Sequence, residues 1–454
     1  MLLRSCFQLL LLCSPLIVRP QAPDYGLPKV IPPSPAASSL GKYGDIPISL
    51  FSGLPGVTVP LYEFVSKELS LPIGISYHAS GVKVEDIAGW IGVGFSMDAG
   101  GAITRSIRGL PDEDLGRLTD GIPDTPTEQN DMWLVHFYAM NQKDAEPDVY
   151  FYNFGGRSGQ MMFDDDGNFY STDAGKLKFE KTLKTSPHTT WIVVDEQGTR
   201  YLYGSAGGSG VEETSSNGGD PSVTAWYLTK MISADLSDTI HFKYEAKDEL
   251  YYRPNSQTYI WHNHTGDFEE PFATGMQGDY NNSTYTLGNA VLSEISGKNG
   301  KILFSTTSTR QDIYGATELD KIRIYDEKGT LRKTFQFNYS SYQTRLFLNS
   351  VQEIGIGGAL KPPYKFFYND PGGLPPTNSH GQDYWGYANG KNLNPHLIPN
   401  MPANFIYTDN FGSQHPSNFT PADRNINEEF MKKGMLVRIE YPTGGSTEFD
   451  FEPH

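Results

Sequence analysis

The chain of 454 residues carries only two cysteines, Cys6 and Cys13, both near its start. Beyond them, no disulfide, thiolate nucleophile or cysteine-based metal site can be built. Positive charge is also scarce. Lys and Arg number 36 against 53 Asp and Glu, a net charge of −17. Such a surface repels phosphates and anionic lipid, so neither nucleic acid nor a membrane is an expected partner. Long apolar runs are missing too, and no stretch is expected to span a membrane. The one candidate, Cys6 to Val18 behind Arg4, is too short to cross a bilayer and reads as the apolar core of a secretory signal peptide. Residues 1–22 are assigned to that signal, with cleavage near Ala22, although Pro23 is a poor residue just after a cleavage site. Lipidation at Cys13 is disfavoured by the bulky Leu12 directly before it. The mature chain is therefore expected to be secreted or displayed at the cell surface.

Motifs of catalysis are lacking as well. There is no G-x-S-x-G elbow, no H-E-x-x-H, no G-x-x-x-x-G-K-S/T and no cysteine pair. No catalytic residue, cofactor or cofactor-binding residue is assigned, and the chain reads as non-enzymatic.

What is present is strand and turn chemistry. Aromatics make up 13% of the chain, with 27 Tyr and 25 Phe, beside 47 Gly and 31 Pro. Tyr and Phe favour half-buried pleated surfaces, and Gly and Pro mark turns. Ile240, Phe242 and Tyr244 alternate with polar residues, as do Phe335, Phe337 and Tyr339, which places each set on one face of a strand. Turn signals punctuate such runs: Asp164 to Asn168, Asp195 to Thr199, Lys298 to Lys301 and Asp326 to Thr330. The fold class is all-β, with antiparallel hairpins and meanders in large twisted sheets and very few short helices. The segment Asn425 to Lys433 has an Asn cap, acids in its first turn and Gly434 beyond its end, which predicts a helix. A second helix is expected over about Asp131 to Asn141. Residues 204–224 and 253–289 read as long surface loops. Residues 23–38 form a Pro-rich linker, 39–433 the main β region (one sheet system or two packed β subdomains), and 434–454 a terminal β-hairpin.

Residues 36–113 contain spaced blocks: Gly41 to Pro47, Leu71-Pro72-Ile73, Ser76 to Gly81, Gly92 to Ser96 and Gly100 to Arg105. Later come Ala225 to Lys230, Asp235-Leu236-Ser237, Asp383 to Tyr387 with Asn389-Gly390, Lys433 to Leu436 and Tyr441 to Gly445. In this order the blocks resemble the N-terminal region of large secreted bacterial RHS/YD-repeat proteins, and a similar order marks the N-terminal domain of the related toxin-complex cocoon proteins. The resemblance implies a non-catalytic structural module that forms or caps a β-shell enclosing or displaying a C-terminal effector. The YD repeats and effector that usually follow are not in this sequence, so no toxin activity is carried over and a truncated or split gene product is expected. The implied partner is a downstream RHS-repeat segment, joined by strand addition at the edge formed by residues 436–451. The glycines of the block Gly89 to Arg105 are read as permitting bulges and close strand approach rather than as a phosphate loop.

Three constellations are weighed as sites. His262 and His264, near Asp267, Glu269 and Glu270, could place imidazoles around a metal, or could lie in an exposed polar loop. The acids Asp112, Glu113, Asp114, Asp120 and Asp124, and likewise Asp164 to Gly167, could hold calcium but lack EF-hand order and read more simply as solvated loops. Tyr384, Trp385 and Tyr387, beside His380 and Asn389, could stack on sugar rings, or could pack inside the shell. The alternative function is accordingly a stand-alone cell-surface or carbohydrate-binding β protein, with surface glycans as partners.

Overall fold

The computed structural model describes residues 53–108, 111, 147–163, 169–171, 176–182, 188–216, 221–253, 258–260, 275–277, 282–308, 310–342, 345–399, 406–408, 414–416 and 420–452. The expected signal peptide, the linker, the helix over 131–141, His262, His264, and both acidic loops lie outside the described residues. The described residues belong to one compact unit, Pro47–His454. As expected, it is an all-β fold in which every pairing between named strands is antiparallel.

Strands Gly56–Val65, Ser70–His78 and Phe95–Asp98 form a three-stranded meander. Val57, Val59 and Leu61 alternate inward as the period of two requires. A bulge between Pro60 and Tyr62 then shifts the phase by one residue, so that Phe64 also faces the core.

The large sheet is organised by one strand, Ser222–Ile232. Its first half pairs with Ala102–Ser106 on one side and Val211–Ser216 on the other. Its second half pairs with Arg200–Tyr203 and Thr239–Arg253. One branch leaves through Ala102–Ser106 to Val149–Phe154, Arg157–Phe163 and Phe169–Ser171. A second runs through Arg200–Tyr203 to Trp191–Val194 and Lys178–Lys181. The longest runs through Thr239–Arg253, Asn282–Gly297, Gly300–Thr307, Glu318–Asp326, Leu331–Tyr342, Arg345–Ile354, Tyr364–Tyr368 and Leu436–Glu440 to Ser446–Glu448. Val211–Ser216 also pairs with the start of Asn282–Gly297, which closes a ring of four strands at the junction. The sheet as a whole stays open, because Phe169–Ser171, Lys178–Lys181 and Ser446–Glu448 are each paired on one side among the described residues.

Two sequence expectations are corrected here. Residues 204–224, read as a loop, contain the strand Val211–Ser216 and the start of the junction strand. Residues 253–289, also read as a loop, include the first half of Asn282–Gly297. Small polar residues conceal both strands, because Val211–Ser216 is paired along both edges and gains its order from the ladder rather than from apolar side chains. The predicted helix exists but is shorter, Glu428–Met431, with Asn427 Oδ1 accepting from Glu429 and Phe430 N–H.

The core at the junction is aromatic. Trp226 is fully buried, 5.7 Å from Trp191 and 6.0 Å from Tyr150, and Tyr150 lies 5.3 Å from Trp191. The guanidinium of Arg105 sits 5.6 Å from the Trp226 ring, donates to the Val223 carbonyl at 2.8 Å and meets Asp148 at 3.5 Å with both side chains out of water. A buried charge of this kind holds only because it is both paired and hydrogen-bonded.

The meander and the C-terminal strands are joined. Tyr77 Oη accepts the main-chain N–H of Leu436 at 3.0 Å, and burial pushes the Tyr77 hydroxyl up to about 12, against the lowering effect of that bond. Phe95 packs edge-on against Phe366 at 5.0 Å. A bulge at Val437 then turns Leu436 and Ile439 inward, where strict alternation would have chosen Val437, Ile439 and Tyr441.

The glycine-rich block behaves as expected. A Cβ on Gly101, at φ +88°, would lie 1.9 Å from the Asn153 carbonyl oxygen, so the backbones can approach only because no side chain intervenes. Gly101→Ala is expected to cost on the order of 3 kcal/mol of stability. Gly329→Ala, also at positive φ but with nothing within 4 Å, should cost about 1 kcal/mol. Urea denaturation of the two variants checks this, and equal losses would show that close approach does not set the cost.

Candidate functional site

Two places gather side chains with chemistry. The first is a recurrent turn. Asp195 to Thr199 and Asp326 to Thr330 are built alike: the N–H of the first residue donates to the carbonyl of the fifth, and its Asp Oδ1 accepts from the N–H groups of the third and fifth. The fourth residue, Gly198 or Gly329, takes positive φ. Asp383 to Tyr387 repeats this geometry. Asp383 N–H donates to the Tyr387 carbonyl at 2.8 Å, Asp383 Oδ1 accepts from Trp385 and Tyr387 N–H at 2.8 and 3.0 Å, and Gly386 has φ +92°.

The turn decides where the aromatic residues go. Its second and third positions form the tip, occupied by Glu196-Gln197 and Glu327-Lys328 in the other two copies. Here they are Tyr384 and Trp385, 60% and 71% exposed. Arg424 lies 5.2 Å from the Tyr384 ring and donates to the carbonyls of Gln382, Asp383 and Leu397, so the loop beneath the tip is braced. Tyr387 is used differently. It is half-buried, its hydroxyl donates to the Ser80 carbonyl at 2.6 Å, and its ring covers Gly81, where a Cβ would come within 2.8 Å. Asn389 is buried and donates to the Asp423 and Asn425 carbonyls, and His380 Nδ1 is 3.1 Å from the Asn394 carbonyl oxygen. Of the five residues that sequence grouped here, Tyr384 and Trp385 face water while the other three hold main chain.

Beside the tip lies a cavity of about 330 Å³, lined by polar residues that include Lys83, Glu85, Asp86 and Gln382. Gln382 Nε2 donates to Glu85 Oε1 at 3.1 Å, and Lys83 N–H donates to Asp86 Oδ2 at 2.7 Å. These residues carried no motif in the sequence. The nearest signal was the D-x-x-G spacing shared by Asp195, Asp326 and Asp383, which marks positions 384 and 385 as a turn tip.

The second place was not foreseen at all. A cavity of about 450 Å³ opens between Phe95–Asp98 and the large sheet, lined in part by Glu212, Tyr227, Tyr244, Glu249 and Arg310. Burial raises the carboxyl of Glu212, against hydrogen bonds from Tyr227 Oη at 2.9 Å and Thr224 Oγ1 at 3.3 Å that lower it. Burial also raises Glu249, opposed by a hydrogen bond to Asn289 and by Arg310. Carboxyls of this kind keep a proton at a pH where surface acids have lost theirs. Among the described residues, no group of three or more His, Cys, Asp or Glu is placed to hold a metal.

A raised carboxyl favours the folded state below its ordinary value, and that contribution is lost as pH rises through the folded-state value. Glu212→Gln removes the cost of ionisation. The melting temperature of the variant relative to wild type should therefore rise from about pH 4 to about pH 8. A difference independent of pH would contradict the burial account.

No family model matches the chain, and no curated protein matches it. Among solved structures, a TcdB2-TccC3 complex is 13% identical, covers 82% of this chain and 19% of that chain, and has a TM-score of 0.40. TcdB2-TccC3-Cdc42 is 12% identical over 69% of this chain and 16% of that chain, with a TM-score of 0.37. The N-terminal domain of the effector protein SpvB from Salmonella typhimurium strain LT2 is 12% identical over 67% of this chain and 99% of that chain, with a TM-score of 0.32. These are weak structural neighbours, and the chain spans less than a fifth of the two toxin-complex chains.

Proposed function

We propose that this chain is a non-catalytic structural module of RHS/YD-repeat type, exported by its N-terminal signal, whose sheet is extended by a partner strand at the C-terminal edge. The observation that carries this reading is the edge itself. The long branch of the sheet runs without a break to Ser446–Glu448, which is paired only with Leu436–Glu440 among the described residues. The hairpin geometry identifies the groups on offer. Tyr441 N–H donates to the Gly445 carbonyl and Phe449 N–H to the Val437 carbonyl, so Thr447 lies in a hydrogen-bonded pair with Ile439. Ser446 and Glu448 therefore turn their main-chain N–H and C=O outward, as a template for strand addition.

The hairpin is also held rigidly enough to serve as one. Its turn, Tyr441 to Gly445, places Gly444 at φ +89° after Pro442, and Tyr77 anchors Leu436 from the meander. The partner is an RHS-repeat polypeptide, and the role is to enclose or display what that polypeptide carries. Among the described residues, no helix is long and apolar enough to cross a membrane, which says nothing of a β-barrel.

Glu448→Pro removes an outward donor and leaves the hairpin ladder intact. Co-expressed with an RHS-repeat polypeptide, wild type should co-elute with it in size-exclusion chromatography. The variant should lose at least tenfold in affinity while keeping its melting temperature. Absence of a wild-type complex, or equal binding by the variant, would sink the reading.

A further inference from the structure

We infer that the tip of the Asp383 to Tyr387 turn, with the polar cavity beside it, is a binding site for a neutral saccharide. This goes beyond strand addition and does not depend on it, since the tip is built on a different segment from the Ser446–Glu448 edge.

The two other turns of the same geometry carry charged or amide side chains at their tips, as solvent demands. Two large aromatic rings in these positions leave most of their apolar surface in water, although Tyr384 also meets the Arg424 guanidinium. Tyr384 and Trp385 are held there by a stiff device rather than by a loose loop. Asp383 is itself 1% exposed and clamps the turn with Oδ1, while its Oδ2 is buried without a partner. Arg424 braces the same loop through three main-chain carbonyls. A binding platform whose main chain is already clamped loses less entropy on contact than a loose loop would.

The chemistry beside the tip selects the ligand. The cavity, about 330 Å³, is at the small end of the range for small-molecule sites. Its lining is polar, which does not suit a lipid chain or an apolar peptide anchor. Glu85 uses one carboxylate oxygen on Gln382 and Asp86 uses one on the Lys83 N–H. Glu85 Oε2 and Asp86 Oδ1 remain to accept from hydroxyl groups, and Lys83 can donate. A sugar ring offers both features at once: an axial C–H face to stack on indole or phenol, and equatorial hydroxyls to meet carboxylates and an ammonium. Lys83 and Arg424 line the cavity beside Glu85 and Asp86, so its formal charges balance and a neutral ligand suits it better than an ion of either sign.

The test is an array of microbial and animal glycans probed with the purified full chain, followed by titration calorimetry on the strongest glycan found. Wild type should bind at least one neutral glycan class. Trp385→Ala should weaken that binding at least tenfold, and Asp86→Asn by a smaller factor. Tyr314→Ala, which removes another highly exposed aromatic ring from elsewhere on the surface, should bind as wild type does. Circular dichroism melts establish that each variant folds, which the exposure of the replaced side chains favours. An array with no bound neutral glycan overturns the inference, as does Trp385→Ala binding with wild-type affinity. Binding confined to a polypeptide and lost in Trp385→Ala would assign the tip to protein contact and overturn it equally.

Discussion

The structure depends on a single strand having two sets of neighbours. Ser222–Ile232 contacts four other strands because it is long enough to change partners halfway along its length. Trp226, at that crossing, is surrounded by Trp191 and Tyr150 and capped by Arg105. Aromatic pairs of this geometry contribute about 0.5–1.5 kcal/mol each beyond the area they bury. The more important consequence is topological. All three branches of the sheet start from this strand, so register set there is inherited by each ladder that follows.

The same dependence reaches the C-terminal edge. Nothing in Ser446–Thr447–Glu448 would order a strand by itself, and an isolated hairpin is marginal in water. Its order comes from Leu436–Glu440, which is paired with Tyr364–Tyr368 on its far side and pinned at Leu436 by the Tyr77 hydroxyl. The arginines do related work in the irregular segments. Arg345 is buried, and its guanidinium donates to the carbonyls of Val84, Asp86 and Pro375, so that one fork satisfies main chain that no ladder reaches. Burial lowers its pKa to about 10, which still leaves it charged at neutral pH. Arg424 does the same for the loop that carries Tyr384 and Trp385.

Much of this was legible in residue order. Alternation at Ile240, Phe242 and Tyr244 and at Phe335, Phe337 and Tyr339 named the buried faces, and the turn signals at Asp195 to Thr199 and Asp326 to Thr330 named hairpin ends. Of the block's glycines read as permitting bulges and close approach, Gly94, Gly100 and Gly101 would clash as alanine and Gly92 would be crowded, while Gly89 has room for a side chain. Other features were hidden for physical reasons. Val211–Ser216 is ordered by hydrogen bonds on both edges, which leave no period in the side chains. Bulges at Leu61 and Val437 break the alternation that sequence reading relies on. Glu212 and Glu249 come together across the junction only after folding, so no spacing announces them. The aromatic cluster near Trp385 was visible, but its division into an exposed tip and a buried support follows from the turn geometry of Asp383.

The account holds that the C-terminal edge is the rigid margin of a continuous sheet rather than a loose appendage. Native-state hydrogen exchange tests this most directly, by comparing the ladder amides of Ser222–Ile232 with those of Leu436–Glu440. The account predicts that both sets exchange only through global unfolding, with the same free energy and the same dependence on denaturant. Exchange of Leu436–Glu440 through a separate opening of much lower free energy would contradict it, because an edge that melts by itself cannot serve as a template for another strand.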